Sequence, residues 1–366
     1  MTALRERFAT QATLIDSATH CALDQTIRSL PTGVVDADFA DSVRAAISGG
    51  KKFRGLLAFL GASLAEDEDD DARSVEVNNL AAALELYQAS ALVHDDIIDH
   101  AFTRRGAATT HQRLAGTHRN NGWVGSAEEF GQSGAILVGD FLFSAAECAL
   151  HAQCRSLRPT HAQRLMDRFT TMHAEVAAGQ FLDLRSEQLP LNPEDSFAIS
   201  AQEARRVIVH KSARYSIVHP AALGALAAGA SDSAVSLMDS ILTPWGIAFQ
   251  LRDDVLGVFG DPSVTGKPAG DDLREGKRTV LLALTWAKAP VRARGVLVNV
   301  LGNAQANATD ISLAQEVVAT YGQADHEREI AALVDEGNRL LDAADLCESI
   351  TEDLHDLAQI LTDRVK

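Results

Sequence analysis

The sequence predicts an all-α protein, and three observations carry that prediction. Apolar residues recur at helical spacing through most of the 366 positions. Period-two alternation is nearly absent, and only Arg294 to Leu301 reads as a strand. Prolines fall between the periodic segments, at Pro31, Pro159, Pro190, Pro193, Pro262, Pro268 and Pro290, where a missing N–H leaves no helical hydrogen bond unmade. No Pro/Gly/Ser-rich linker divides the chain, so one large domain over residues 1 to 366 is expected.

Taken in order, helices are expected over residues 3 to 29, 34 to 48 and 52 to 65, with Gly49-Gly50 turning the chain between the second and third. The acidic run Glu66 to Asp71 then reads as a solvated loop, because blocks of like charge stay hydrated. In the next helix, 73 to 102, the segment Asn78 to Val93 is mostly Leu and Ala, so it should be buried over much of its length. Helices at 131 to 153, 160 to 186, 194 to 229 and 232 to 258 follow, and Pro220 and Pro244 should kink or end the last two. The segments 271 to 289, 312 to 345 and 349 to 364 complete the chain; beyond about residue 290 they are amphipathic and carry no chemical signature.

Charge narrows the function. With 50 acidic against 33 basic residues, a net charge of −17 argues against a nucleic-acid partner or an anionic membrane surface. An anionic substrate must then be met by locally placed cations. Cys21, Cys148, Cys154 and Cys347 form no C-x-x-C pair and no zinc spacing, which suits a reducing cytoplasm and mostly buried, structural thiols. The N-terminus carries Arg5, Glu6, Arg7 and Asp16, unlike a signal peptide, and no uninterrupted run of 18 apolar residues offers a membrane span. A soluble, cytoplasmic protein is expected.

The chemistry is concentrated in two acidic segments. In Val93-His94-Asp95-Asp96-Ile97-Ile98-Asp99, Asp95 and Asp99 lie one above the other on a helix face, with Asp96 about 100° round. Three carboxylates so close call for a cation, and Mg²⁺ is the best candidate, since it is held by one or two carboxylates and completes its shell with water and phosphate oxygens. The second segment, Gln250 to Lys277, holds the pair Asp253-Asp254, then a glycine-containing loop with Lys267, then Asp272 and Lys277. It is not a P-loop, because the glycine spacing is wrong and Pro268 replaces the Ser or Thr that would meet Mg²⁺. Two such sites facing each other across a helical bundle would chelate several Mg²⁺ against one diphosphate.

Cations cluster around both. Lys51, Lys52 and Arg54 can converge on an anion near a helix start. Arg104 and Arg105 follow the first aspartates and can grip diphosphate oxygens bidentately. Gln180 and Asp183 are one turn apart, and His210-Lys211-Ser212 interrupts an apolar run. His94, His111 and His173 are read as structural, because Mg²⁺ does not favour imidazole over oxygen ligands.

Over roughly residues 45 to 290 these ordered motifs resemble the trans-isoprenyl diphosphate synthases, or polyprenyl synthetases, and in particular the bacterial geranylgeranyl diphosphate synthases. The resemblance implies an all-α bundle of long helices around a central cavity (the isoprenoid synthase fold), usually a homodimer. It implies that Asp95, Asp96 and Asp99, with Asp253 and Asp254, bind three Mg²⁺ that hold an allylic diphosphate. Lys51, Arg54, Gln88 and Arg105 would bind isopentenyl diphosphate, and Arg104, Lys211 and Lys267 would contact the allylic diphosphate. Gln180, Asp183, Ser212, Gln250, Asp272 and Lys277 would support metal or diphosphate binding. The chain departs from the family pattern at Gly257, where many relatives have a third aspartate, at Lys52 and Gly55, where Arg and Pro are commoner, and at Gln88, which replaces a common His.

The activity so implied is head-to-tail condensation of isopentenyl diphosphate with dimethylallyl, geranyl or farnesyl diphosphate, the departed diphosphate taking the lost proton. A class I terpene cyclase would need no second diphosphate pocket, and a non-catalytic partner subunit would be expected to lose one acidic cluster. A tail growing down the first helix would pass Ala91, Ser90, Gln88, Tyr87 and Leu84, with Ser90 about 7.5 Å and Tyr87 about 12 Å below Asp95. Relatives that stop at fifteen carbons often carry aromatic residues at the two positions that Ser90 and Ala91 occupy. Small residues there, above Tyr87 as the first bulky side chain, point to a twenty-carbon product rather than farnesyl or a much longer chain; Phe141 or Phe143 could share the floor.

Overall fold

The computed structural model describes residues 3–66, 76–260 and 270–362. The chain divides into two units, Met1–Phe169 with Pro220–Val235, and Thr170–His219 with Ser236–Lys366. Each is assembled from two separated stretches, which is why no linker in the sequence marks a boundary.

In the first unit the helices are α1 (Ala3–Ser29), α2 (Ala37–Ala46), α3 (Phe53–Glu66), α4 (Asn78–Ile98), α5 (Thr110–Asn120), α6 (Ala127–Cys154), the start of α7 (Pro159–Glu187) and α9 (His219–Ala228). Helix α4 is the shaft: Leu80 to Leu84, Leu86, Tyr87, Ala89, Ser90 and Val93 are buried, as expected of a helix apolar all round. It packs on α6, α1 and α3. The N-cap residue Val77 offers no side-chain acceptor, so α6 supplies one: buried Gln153 accepts from Leu80 N (3.2 Å) and donates to Glu76 O (3.0 Å). Helices α3 and α9 cross at small residues, where a Cβ on Gly61 or Gly224 would fall 1.9 Å from Ala221 O or Ala58 O.

The second unit holds the rest of α7, α8 (Ala201–Val207), a π-helical stretch Ile208–Val218, most of α10 (Asp232–Phe259), α11 (Asp271–Glu275), α12 (Val280–Lys288), α13 (Val291–Val300), α14 (Ala308–Tyr321), α15 (Gln323–Asp342) and α16 (Glu348–Thr362). Ser200 and Glu203 form a capping box before α8, and Asn307 and Asp310 another before α14. Val255, Val258, Leu273, Leu281, Trp286 and Leu297 form its main core.

Several expectations are corrected. Arg294 to Leu301 is not a strand; its residues to Val300 are helical in α13, and the only strands among the described residues are the two-residue pair Thr103–Arg104 and Ala107–Ala108. Helix α5 was not expected, because its polar sequence hides the apolar period. The helix expected at 194 to 229 starts at Ala201, the one at 271 to 289 breaks at left-handed Gly276, and the one at 312 to 345 breaks at Gly322. Pro244 lies inside α10 without ending it, whereas Pro220 sits where the π-helical stretch gives way to α9. The thiols are not buried: Cys21, Cys148 and Cys347 are exposed and Cys154 is partly so, since each sits on the outer side of a helix or at its end. Helix α6 is long and apolar enough on average to cross a membrane despite Asp140 and Glu147, although no uninterrupted apolar run reveals it; Ala135, Val138, Leu142 and Ala145 on one face are buried.

Candidate active site

In the first unit, Asp95 and Asp96 occupy the last turn of α4 and Asp99 is its C-cap, with Asp99 N bonded to Asp95 O at 2.8 Å. A helix C-terminus is the negative end of the backbone dipole, so three carboxylates there are doubly in need of cations. The helix stops in a Schellman turn: His100 takes φ 53°, its N–H reaches Ile97 O, and Ala101 N reaches Asp96 O at 2.9 Å. The chain then turns back through Arg105 and Gly106, both at positive φ, as a two-residue hairpin of mirror-image twist requires. The reversal at His100 brings Arg104, on the first strand of this hairpin, back to the carboxylates. Its Nε donates to Asp96 Oδ1 at 2.5 Å and its Nη2 to Asp95 Oδ2 at 3.3 Å. Burial pulls the guanidinium pKa down, but Asp96 and Asp95 outweigh it and the net shift is upward.

Arg105 points to the glycine turn. Its Nη1 donates to Ser48 O at 3.3 Å, and its guanidinium fills the space a Cβ on Gly50 would need. Burial and then Arg104 lower its pKa against the pull of Glu85, and Arg54 also repels it. Positive groups are therefore concentrated here, as an anion pocket requires. Glu85 was not foreseen; it accepts from Gly55 N at 3.0 Å, capping α3 from α4. Lys51 is exposed and Arg54 and Gln88 are half-buried, but Lys52 is not part of this cationic face: its ammonium is turned inward. Below them Ser90 is buried, Ala91 is half-buried, and the Tyr87 ring lies 5.8 Å from Phe143 and 6.2 Å from Phe169. Phe141 instead packs edge-on to Phe39. Burial raises the Tyr87 hydroxyl to about 12, with Arg54 opposing. His94 reaches Ile136 O and Asp140 on α6 and His111 lies beside Thr109, in keeping with structural roles.

In the second unit, Lys211 and Ser212 lie on the π-helical stretch, a geometry that recurs at functional sites. Gly179 lets α7 approach it, because a Cβ there would fall 2.5 Å from Lys211 N. Lys211 Nζ meets Asp183 Oδ2 at 2.5 Å. Ser212 Oγ donates to Gln250 Oε1, and Gln250 Nε2 donates to Asp254 Oδ1 at 3.1 Å. Asp254 is buried, its Oδ2 has no hydrogen-bond partner, and its pKa is raised by burial and then by Asp272, Asp253 and Asp183, against Gln250. Three further carboxylates thus bear electrostatically on a buried carboxyl group whose Oδ2 has no donor on it. A Cβ on Gly257 would lie 1.8 Å from Asp272 Oδ2, so the space of the family's third aspartate is filled by Asp272. Lys277 Nζ lies 3.5 Å from Asp272 and 2.5 Å from Glu275, a partner the sequence did not single out. Gln180 sits on α7 one turn before Asp183. Lys267 lies outside the described residues.

Among the described residues no three acidic, His or Cys side chains form a ready-made metal cage. That is the expected state for Mg²⁺, which takes few protein ligands and draws the rest from water and phosphate. The donor sets are all oxygen, hard and anionic, and so match the ion.

The polyprenyl synthetase family model matches residues 37–318. The chain is 32% identical over 281 residues to a geranylfarnesyl diphosphate synthase of Aeropyrum pernix, covering 76% of this chain and 78% of that one. It is 30% identical over 300 residues to a geranylgeranyl diphosphate synthase of Sulfolobus acidocaldarius, covering 82% of each. Its structure is similar to a geranylgeranyl pyrophosphate synthase of Corynebacterium glutamicum solved with isoprenyl diphosphate and magnesium, with a TM-score of 0.87, 35% identity and coverage of 97% and 98%. With the helical architecture, the ordered aspartate segments and a match over most of its length, the chain belongs to the polyprenyl synthetase family and has the isoprenoid synthase fold.

Proposed function

We propose that this chain is a Mg²⁺-dependent prenyltransferase that condenses isopentenyl diphosphate head-to-tail with dimethylallyl, geranyl and farnesyl diphosphates, with geranylgeranyl diphosphate as main product. The observation that carries the reading is the orphaned, buried oxygen of Asp254 among Asp183, Asp253 and Asp272, a charge arrangement that a bound cation would balance. Asp95, Asp96 and Asp99 in the first unit, and Asp183, Asp253, Asp254 and Asp272 in the second, would hold three Mg²⁺. Bound there, the ions would neutralise the diphosphate charge that develops as the allylic C–O bond breaks.

The chain's own cations do the rest. Arg104, Lys211 and Lys267 would grip the allylic diphosphate, and Lys51, Arg54, Gln88 and Arg105 would orient isopentenyl diphosphate for attack by its double bond. Arg104 is already held by its hydrogen bonds to Asp96 and Asp95, so diphosphate can bind without a new cation being ordered. Ser212, Gln250 and Lys277 would set the orientation of the second carboxylate group. We further infer that residues 1 to 366 work as one polyprenyl synthetase domain, in a cytoplasmic homodimer.

The buried Ser90 above the Tyr87, Phe143 and Phe169 rings supports a twenty-carbon limit. The geranylfarnesyl relative favours a second reading, a longer product. Purified protein given Mg²⁺, isopentenyl diphosphate and each allylic starter separates the two by chromatography of the dephosphorylated products. Ser90→Phe is expected to shorten the main product toward fifteen carbons and Tyr87→Ala to lengthen it. Wild-type length in both variants would place the floor elsewhere than on α4.

A further inference from the structure

Lys52 follows a lysine in a basic segment, yet it does not face solvent with Lys51. Its side chain is 6% exposed; Nζ lies 2.8 Å from Asp16 Oδ1 on α1 and donates to Ile47 O at 3.0 Å. The backbone at Lys52 is left-handed, φ 51°, a conformation an L-residue with a long side chain seldom adopts, and it comes after Gly49 at 73° and Gly50 at 82°. Such a conformation persists only where the surroundings over-determine it. Here they do: Lys52 O starts α3 by accepting from Leu56 N at 3.0 Å, and a Cβ on Gly55 would press on Ile15 of α1, 2.9 Å from its Cγ2. The kink sends successive lysines opposite ways, Lys52 inward and Lys51 out.

We propose that Asp16 and Lys52 are positioning residues for the isopentenyl diphosphate pocket: the ion pair between the buried Lys52 ammonium and the half-exposed Asp16 carboxylate on α1 fixes the left-handed kink that presents Lys51 and Arg54. The proposal rests on the reading of Lys51 and Arg54 given above. Turning Lys52 outward would give up both Asp16 and Ile47 O, and removing the Asp16 charge would leave a buried ammonium with Ile47 O as its remaining acceptor here, which is costly. Helix α1 lies before residue 37, where the family match begins, and Asp16 acquires in this way a part in the reaction that the shared motifs do not assign.

The test is steady-state kinetics on the full-length enzyme with both substrates varied, alongside thermal melts. Asp16→Asn and Lys52→Met are expected to raise the KM for isopentenyl diphosphate about tenfold, with kcat and the KM for the allylic diphosphate within about twofold of wild type. The double variant should be no worse than either single one, because both remove the same pair. Lys52→Gly, at ease with a positive φ, should show the same KM effect and guards against misfolding of Lys52→Met. A KM for isopentenyl diphosphate within twofold of wild type in folded Asp16→Asn overturns the proposal, as does an equal loss in both KM values and kcat. Lys51→Ala separates the two levels: if it raises that KM while Asp16→Asn does not, the positioning role alone falls, and if it leaves that KM unchanged, the pocket reading falls as well.

Discussion

Asp96 and Asp254 are equally buried, at 4% and 5% exposure, yet they are neutralised differently. Asp96 belongs to a group that brings its own cation, since the hairpin after α4 returns Arg104 to bridge Asp96 and Asp95. Asp254 has one amide donor, from Gln250, and otherwise faces three more carboxylates. Lys211 and Lys277 stand nearby but are engaged with Asp183, Asp272 and Glu275. The first group is therefore held together by the chain itself, whereas the second stores repulsion that a bound cation would relieve. Both are expected to serve turnover, but metal should govern stability mainly through the second.

The largest effect tests the shared part of that comparison. Asp95→Ala and Asp253→Ala should each lower turnover about 10³-fold, and chelation of Mg²⁺ should abolish it. Near-normal turnover in either variant at saturating substrate and metal would show that the two groups do not serve one reaction.

The difference between the groups is tested by melting the metal-free protein. Arg104→Leu strands Asp96 without its guanidinium and should cost about 3 kcal/mol, whereas Asp254→Asn removes one of four crowded charges and should stabilise by about 1 kcal/mol. Added Mg²⁺ should then raise Tm less in Asp254→Asn than in wild type, because less repulsion remains to be relieved. Equal Mg²⁺ shifts in wild type and Asp254→Asn would break the distinction.

Gly257 sharpens it further. Restoring the family's aspartate by Gly257→Asp would drive a side chain into Asp272, so it should lower turnover about tenfold rather than improve it. Adding Asp272→Gly to that variant frees the space and should recover part of the loss. Activity of Gly257→Asp at or above the wild-type rate would mean that Asp272 does not stand in for the missing carboxylate.

Fixed spacing made much of this legible. Two aspartates four apart on α4 share a face whatever surrounds them, and the buried run before them announces a central helix. What the spacing could not show is direction and distance. Neighbouring Lys51 and Lys52 have the same chemistry in sequence, and only the left-handed kink separates them. Asp272 is fifteen positions from Gly257, and its carboxylate meets that glycine only once α10 and α11 are packed. The π-helical stretch around Lys211 escapes a search at 3.6-residue period, and the break at Gly322 escapes it because apolar spacing continues from α14 into α15; there a Cβ would fall 2.0 Å from Thr285 Oγ1.

The last expected effect is acid sensitivity, read at a buried histidine of the second unit. His326 on α15 is fully buried, neither ring nitrogen has a hydrogen-bond partner, and burial and then Arg252 lower its pKa from 6.5 to about 4. Burial does the same to His173 on α7. Both belong to the second unit. A folded-state pKa depressed below the unfolded value means that the unfolded chain binds the proton first. The stability from neutral His326 is thus fully present above pH 6.5 and is lost as pH falls through the window down to 4. At pH 5.5 the loss relative to pH 8 is about 1.4 kcal/mol for this one group. His326→Leu keeps the volume apolar and removes the titration, so wild type minus variant should fall by about 2 °C in Tm between pH 8 and pH 5.5. Taking the difference cancels the general effect of acid on a chain of net charge −17. Parallel pH profiles for the two proteins would mean that His326 is hydrogen-bonded in solution and does not carry the second unit's acid sensitivity.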